Sequence, residues 1–286
     1  MNRLISIAIL ASFMATGCIS AVSAIPAAVK TGSAVSKAAR EITPEEEYYI
    51  GRAVAAKILS MYKLLKDPDF TAYINLTGQA VAINSEMPFT FGGYHFAILD
   101  TKEINAFACP GGVIFITKGM IDLAVNEDEL AAILAHEVAH ITHKDGLGAI
   151  KSSRWTEALT VMGSEAAKSF TPGEVSQLLN VFEGSIDDIF KSLVTNGYSK
   201  SQEYSADESA LVYMKKTGYD PSALRKVLQN LQSKTGASDG GGVFKTHPST
   251  EDRISKVSTK LTESKVTEFF DVRTKRFSGQ FSKFSK

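Results

Sequence analysis

Three of the chain's five histidines, His136, His140 and His143, lie in the stretch ILAHEVAHITH at 133–143. Two imidazoles four residues apart on a helix sit one turn apart and about 40° round the axis, so both can reach one ion. Glu137 lies about 100° from His136, beside such an ion, where a carboxylate can take a proton from water without being a ligand. His143 shares the angle of His136 but is about 10 Å along the axis, out of reach of an ion held between the other two. The pattern H-E-x-x-H therefore points to metal-assisted hydrolysis. The competing reading is a set of polar positions on a half-exposed helix, and a further ligand decides between the two, because catalytic zinc typically takes three protein ligands and a water.

Carboxylates for that role occur downstream. GYSKSQEYSADESA, 197–210, opens a helix with Ser199 and Gln202 as a capping pair, and Glu203 and Asp207 fall four apart on one face. One of them can bind metal while the other accepts from a ligand histidine. Taken alone, the segment also reads as two solvated acids.

Four motifs stand in one order: NAFACPGG at 105–112, H-E-x-x-H at 136–140, E-x-x-A-D at 203–207 and HPSTEDR at 247–253. In that order they resemble the M48 family of zinc metallopeptidases, which includes HtpX, the CAAX prenyl proteases and the periplasmic BepA-like members. The resemblance covers about 41 to 262. It implies an α+β fold, a mostly helical zincin-type, gluzincin-like domain, and one zinc ion bound by His136, His140 and Glu203. Glu137 would be the general base, and Asp207 would orient a ligand histidine. The resemblance also suggests a substrate-binding strand at Asn105, Ala106, Phe107 and Ala108, and transition-state roles for His247 and Arg253. The chain departs from HtpX and the prenyl proteases in lacking their membrane helices, and from BepA in lacking its C-terminal helical repeats. Those absences tell against prenylated substrates; backbone pairing with the edge strand that carries Asn105 and Phe107 makes unfolded polypeptide the expected substrate, with a zinc-dependent assembly factor or holdase as the alternative.

The elements that must position these residues are legible from capping and periodicity. Thr43, Pro44 and Glu46 begin a first helix, and Asp67 caps a second that carries Phe70, Tyr73, Ile74 and Val81 on its apolar side. YHFAILD, INAFA and VIFIT then alternate or run apolar, and CPGG is turn chemistry, so a small antiparallel sheet is expected before the histidine helix. Asn126 and Glu129 cap that helix, and its alanines, 131, 132, 135 and 139, predict close approach by neighbours. Helical patterns follow at 127–144, about 154–169, 174–194, 200–217, 221–234 and 250–262, with a glycine-rich break at 235–244. Residues 263–286 read as a basic, aromatic-dotted tail.

Composition bounds the rest. The chain has 286 residues, 44% of them hydrophobic, enough for a sizeable core, and 31 basic against 31 acidic side chains, so no global field points to nucleic acid. Arg3, the apolar run from Leu4 to Met14 and the small residues after it have the anatomy of a signal peptide over 1–17. Ala15-Thr16-Gly17-Cys18 resembles a bacterial lipoprotein box, which predicts a lipid on Cys18, a tether over 18–40 and a periplasmic, membrane-anchored catalytic domain. Cleavage after Ala24 is the alternative. With Cys18 lipidated, Cys109 is left unpaired and structural. The sequence leaves the oligomeric state open.

Overall fold

The computed structural model describes residues 42–150, 172–235, 246–247, 250–261 and 269–284. The expected leader, Cys18, the tether, the 154–169 helix and the glycine-rich segment from 236 lie outside them. The described residues divide into two units. Residues 172–184 belong to one; Ile42–Lys151 and Ser185–Lys286 form the other, which contains every site residue discussed below.

Helix α1, Pro44–Met61, begins with the expected capping box: the Thr43 hydroxyl accepts from Glu46 N–H, and the Glu46 carboxylate accepts from Thr43 N–H. It buries Ile50, Val54 and Ile58. α2, Pro68–Ala82, starts at Asp67, whose carboxylate accepts from Phe70 N–H. Both starts satisfy amide groups that the first helical turn leaves without partners.

Three strands follow: β1, His95–Leu99; β2, Ala106–Cys109; and β3, Val113–Thr117. Their order is β1-β3-β2, with β2 antiparallel to β3 but β1 parallel to it, so the sheet is mixed and not antiparallel as expected. Only Pro110–Gly112 is a hairpin connection. The 100–105 segment carries the chain past β3's place to the far edge, and apolar alternation in β1 cannot reveal that direction. Gly111, at φ 77°, is pressed against α1: a Cβ there would lie 2.8 Å from Tyr48 Cα. Helix α1 thereby sits on the turn that ends β2, and buried Glu47 accepts from Gly111 N–H at 3.1 Å.

After the short α3, Lys118–Ile121, comes the histidine helix α4, Glu127–Thr142, buried along almost its whole length. It packs against α7, Lys200–Thr217, and the fully buried alanines 131, 132, 135 and 139 on one and 206 and 210 on the other permit that closeness. Helix α5 is the single turn Asp145–Gly148, and α6, Pro172–Lys191, runs into a π turn at Ser192–Asn196. α8, Ser222–Thr235, and α9, Thr250–Lys260, close the site from the other side.

The expected C-terminal tail is instead an ordered helix, α10, Phe270–Phe284. Phe277, Phe281 and Phe284 form an apolar stripe, and Phe284 stacks on Phe70 of α2 at 4.1 Å between centroids. Arg273 donates to Asp128 through Nε at 2.6 Å and Nη2 at 2.9 Å, and Arg276 pairs with Glu127. Tyr73 and Tyr219 also donate their hydroxyls to Glu127, at 2.9 and 3.0 Å. Two of the basic residues of this segment, Arg273 and Arg276, are the partners of Asp128 and Glu127 in the first turn of α4.

Candidate metal centre and active site

Helix α4 presents His136 and His140 to one point, with their Nε2 atoms 3.1 Å apart. From α7, Glu203 brings Oε2 to 3.5 Å from His136 Nε2 and Oε1 to 3.4 Å from His140 Nε2. His247 Nδ1 stands 3.4 Å from His136 Nε2 and 2.8 Å from Glu203 Oε1. These four donor atoms lie within 4.8 Å of one another, and all four residues are buried. Ligand atoms 2.0–2.1 Å from a tetrahedral zinc ion stand about 3.3 Å apart, so the spacing fits such an ion.

Each of the two imidazoles on α4 is held from behind. His136 Nδ1 is 3.0 Å from Asp207 Oδ1, and His140 Nδ1 is 2.8 Å from Asp145 Oδ2. A carboxylate can only accept, so both Nδ1 atoms donate and both Nε2 lone pairs point into the donor set. Two buried lone pairs facing at this distance repel unless a cation lies between them. Burial and the Arg253 charge act to lower the His136 pKa, and burial that of His140. Both are nevertheless raised, by Asp207 and Glu203 in one case and Asp145 and Glu203 in the other. The carboxylates call for positive charge at this point, and the residues present fit a divalent metal.

Arg253, on α9, is 3% exposed and donates to Asp207 through Nε at 2.8 Å and Nη2 at 2.7 Å. Its Nη1 also lies 2.7 Å from Glu203 Oε2, an ion pair outside hydrogen-bond alignment. Burial would raise the Asp207 pKa, but Arg253 overrides it and holds the carboxyl at about 2. Glu203 is likewise kept well below the carboxylate range, against burial, by His247 and Arg253. Arg253, expected to act in the transition state, is paired here with Asp207 and Glu203.

Glu137 is buried beside the donor set, and its Oε2 has no hydrogen-bond partner among the described residues. His143 bonds Ser209 Oγ at 3.0 Å and stays outside the donor set, as the helical geometry predicts. Cys109 is a free, fully buried thiol whose pKa burial pushes up, which makes it an inert core residue.

The strand expected to bind substrate is an edge strand, but it is covered. Asn105 and the whole of β2 are buried, the Asn105 side chain accepts from Ala106 N–H at 2.9 Å, and the Thr246 hydroxyl donates to the same oxygen at 3.0 Å. The π turn also packs on β2.

Two contributors escaped the sequence reading. Asp145 lies five residues after His140, about 140° round a continuous helix from it. The helix ends at Thr142, however, and Lys144 at φ 57° reverses the chain and brings Asp145 back beneath the imidazole. Tyr198 is buried and stacks on His140 with centroids 4.0 Å apart; the signal available in the sequence was an aromatic residue immediately before the Ser199 cap, a position where apolar side chains often pack against their helix.

The family profile for Peptidase family M48 matches residues 68–261. The chain belongs to this family. It is 25% identical over 231 residues to the Beta-barrel assembly-enhancing protease of Yersinia pestis, covering 80% of this chain and 47% of that protein. It is 29% identical over 222 residues to the Putative beta-barrel assembly-enhancing protease of Vibrio cholerae, covering 75% and 44%. Metalloprotease YcaL of Escherichia coli is 25% identical over 174 residues, 60% of this chain and 63% of that protein. The chain thus spans about half the length of the assembly-enhancing M48 relatives. The matched region takes in α2 to α9 and every donor in the set, while α1 and α10 lie beyond it.

Proposed function

We propose that this M48 chain is a zinc metalloendopeptidase that hydrolyses peptide bonds in unfolded or misfolded envelope proteins. The observation that supports it best is the buried set of His136, His140, Glu203 and His247 with Glu137 at its side. His136, His140 and Glu203 would hold the ion, and bound zinc supplies Lewis acidity, lowering the pKa of a water to about 7 and polarising the scissile carbonyl. Glu137 Oε2 takes the proton of the attacking water and passes it to the leaving amine. Asp207 and Asp145 keep the two imidazoles in the ligating tautomer, and Arg253 keeps Asp207 ionised.

Envelope residence accords with the signal-like start and Cys18, which would tie the domain to a membrane by lipid. Among the described residues no helix is long and apolar enough to cross one. Backbone pairing with β2 would position any extended segment with little demand on sequence, which suits misfolded chains. For that, the 246–247 segment must leave the strand edge and the donor set. This closed arrangement favours a low resting rate, and with it the second reading, an assembly factor that seldom cuts; the names of the Yersinia and Vibrio relatives combine both ideas. Denatured casein separates the readings: a peptidase degrades it and a chelator stops the reaction, whereas an assembly factor binds it without new termini.

A further inference from the structure

Large aromatic side chains stand out from the surface where the loop before β1 meets the start of α1: Phe89 is 77% exposed, Phe91 57% and Tyr49 50%. Phe91 lies against Tyr48 with ring centroids 5.5 Å apart, and Tyr48 against Tyr49 at 5.3 Å, so loop and helix carry one aromatic cluster. We propose that this cluster docks on a phospholipid bilayer, with Phe89, Phe91 and Tyr49 entering the headgroup region and fixing how the peptidase domain faces the membrane. The proposal rests on the envelope reading of the chain and adds an orientation to it.

The loop is built to hold these rings out. Tyr94 donates its hydroxyl to Met87 O at 2.9 Å, Met87 N–H donates to Ser85 Oγ at 3.2 Å, and Gly93 N–H donates to Thr90 O at 3.2 Å. Gly92 lets the backbone lie on the Tyr48 ring, where a Cβ would collide with it. The rings are therefore positioned before any partner arrives, and docking them costs little ordering entropy. Exposures of this size belong to projecting side chains and not to the lining of a groove, so their shape suits a lipid surface better than a peptide.

The surroundings lack charge. Residues 70–99 contain one charged side chain, Glu86, in a chain that is 22% charged, and Glu86 accepts from the Tyr213 hydroxyl. Exposed Leu76 and Ile83, on α2 and just past its end, continue the uncharged stretch. Bringing charged groups up to hydrocarbon is a main cost of membrane contact, and few are present to incur it. Arg52 is exposed, with its guanidinium 5.5 Å from the centre of the Tyr48 ring, and can meet a lipid phosphate while the rings go deeper.

The place of the cluster favours a bilayer over a soluble partner. Tyr48 and Tyr49 lie in the first turns of α1, at the end that the chain from Cys18 enters. Residues 19–42 span no more than about 80 Å. A lipid on Cys18 would confine the domain within that reach of the membrane, where weak apolar contacts suffice to dock it. A soluble partner gains no such advantage.

The test supplies its own anchor, so it does not depend on how Cys18 is processed. The chain from residue 18, with Cys18→Ser and an N-terminal hexahistidine, is held on phosphatidylethanolamine–phosphatidylglycerol vesicles by a nickel-chelating lipid. Phe89→Cys carries the environment-sensitive fluorophore NBD, and Cys109 is buried and does not compete for it. Emission at position 89 should rise about twofold or more on the vesicles and be quenched by lipids brominated in their acyl chains. The same label on Glu251→Cys, exposed on α9, should not change. Phe91→Asp should remove most of the rise at position 89. Emission that stays at its value in buffer while the protein floats with the vesicles overturns the docking surface, and so does a rise that Phe91→Asp leaves intact. A rise produced by denatured casein and not by vesicles also overturns it, and assigns the aromatics to substrate. Mass spectrometry of the N-terminus made in cells tests the lipid separately: an unmodified Cys18 removes the anchor and leaves the vesicle result standing.

Discussion

The Thr246 hydroxyl donates to Asn105 Oδ1 at 3.0 Å, one residue before His247 places Nδ1 2.8 Å from Glu203 Oε1. Two adjacent side chains thus close the strand edge and the donor set together. Thr246→Val removes one buried hydrogen bond of about 1 kcal/mol and should raise the population of the open form roughly fivefold. Initial rates on denatured casein should rise in proportion at subsaturating substrate, and an unchanged rate would separate Thr246 from the closure.

Glu137→Gln should keep zinc near one per chain and abolish turnover, because the amide cannot accept the water proton while no ligand is touched. Glu203→Ala should instead lose zinc, since it removes a donor and leaves Arg253 and His247 without that partner. Metal analysis of both purified variants beside the wild type checks the pair. Normal zinc in Glu203→Ala would remove it from the ligand set.

His247→Ala should retain zinc, because three donors remain. Zinc-edge absorption of the resting protein should then report two imidazoles where the wild type has three. Identical spectra would place His247 outside the coordination sphere.

Asp145→Ala should weaken zinc binding by about 10- to 100-fold, the usual effect of losing the acceptor behind a ligand histidine. Competition with a fluorescent chelator measures it, and an unaltered affinity would reduce Asp145 to a loop residue.

Arg273→Ala leaves the Asp128 carboxylate buried, accepting from Asp220 N–H at 2.9 Å but without the guanidinium that pairs with it. Breaking a buried pair from one side costs about 3–5 kcal/mol. In a domain of this size that lowers Tm by roughly 6–20 °C. A shift under 2 °C by calorimetry would mean that water replaces the guanidinium without cost.

What could be read in the sequence was whatever local geometry determines. The positions of His136 and His140 on one helix follow from 3.6 residues per turn, and the caps at Thr43, Asp67, Asn126 and Ser199 fix helix starts within a few residues. Long-range direction left no such trace. The parallel pairing of His95–Leu99 with Val113–Thr117 depends on which way the chain crosses the sheet, and alternation is identical for both directions. Asp145 depends on one left-handed residue, Lys144, a conformation uncommon for lysine and unsignalled by it. Arg273 and Arg276 read as part of a tail because their acidic partners are far away in the chain.

That distance has a temporal meaning. Asp128 and Arg273 are separated by 145 positions, and Glu127 and Arg276 by 149. At 5–20 residues per second, a ribosome delivers Arg273 roughly 7–30 s after Asp128. Until then Glu127 and Asp128 have the helix dipole and the neutral donors Tyr73, Tyr219 and Asp220 N–H but not the two guanidinium groups, and contacts of this span form late because loop closure must precede them. The ion pairs at the start of the histidine helix are therefore completed only when the last helix docks.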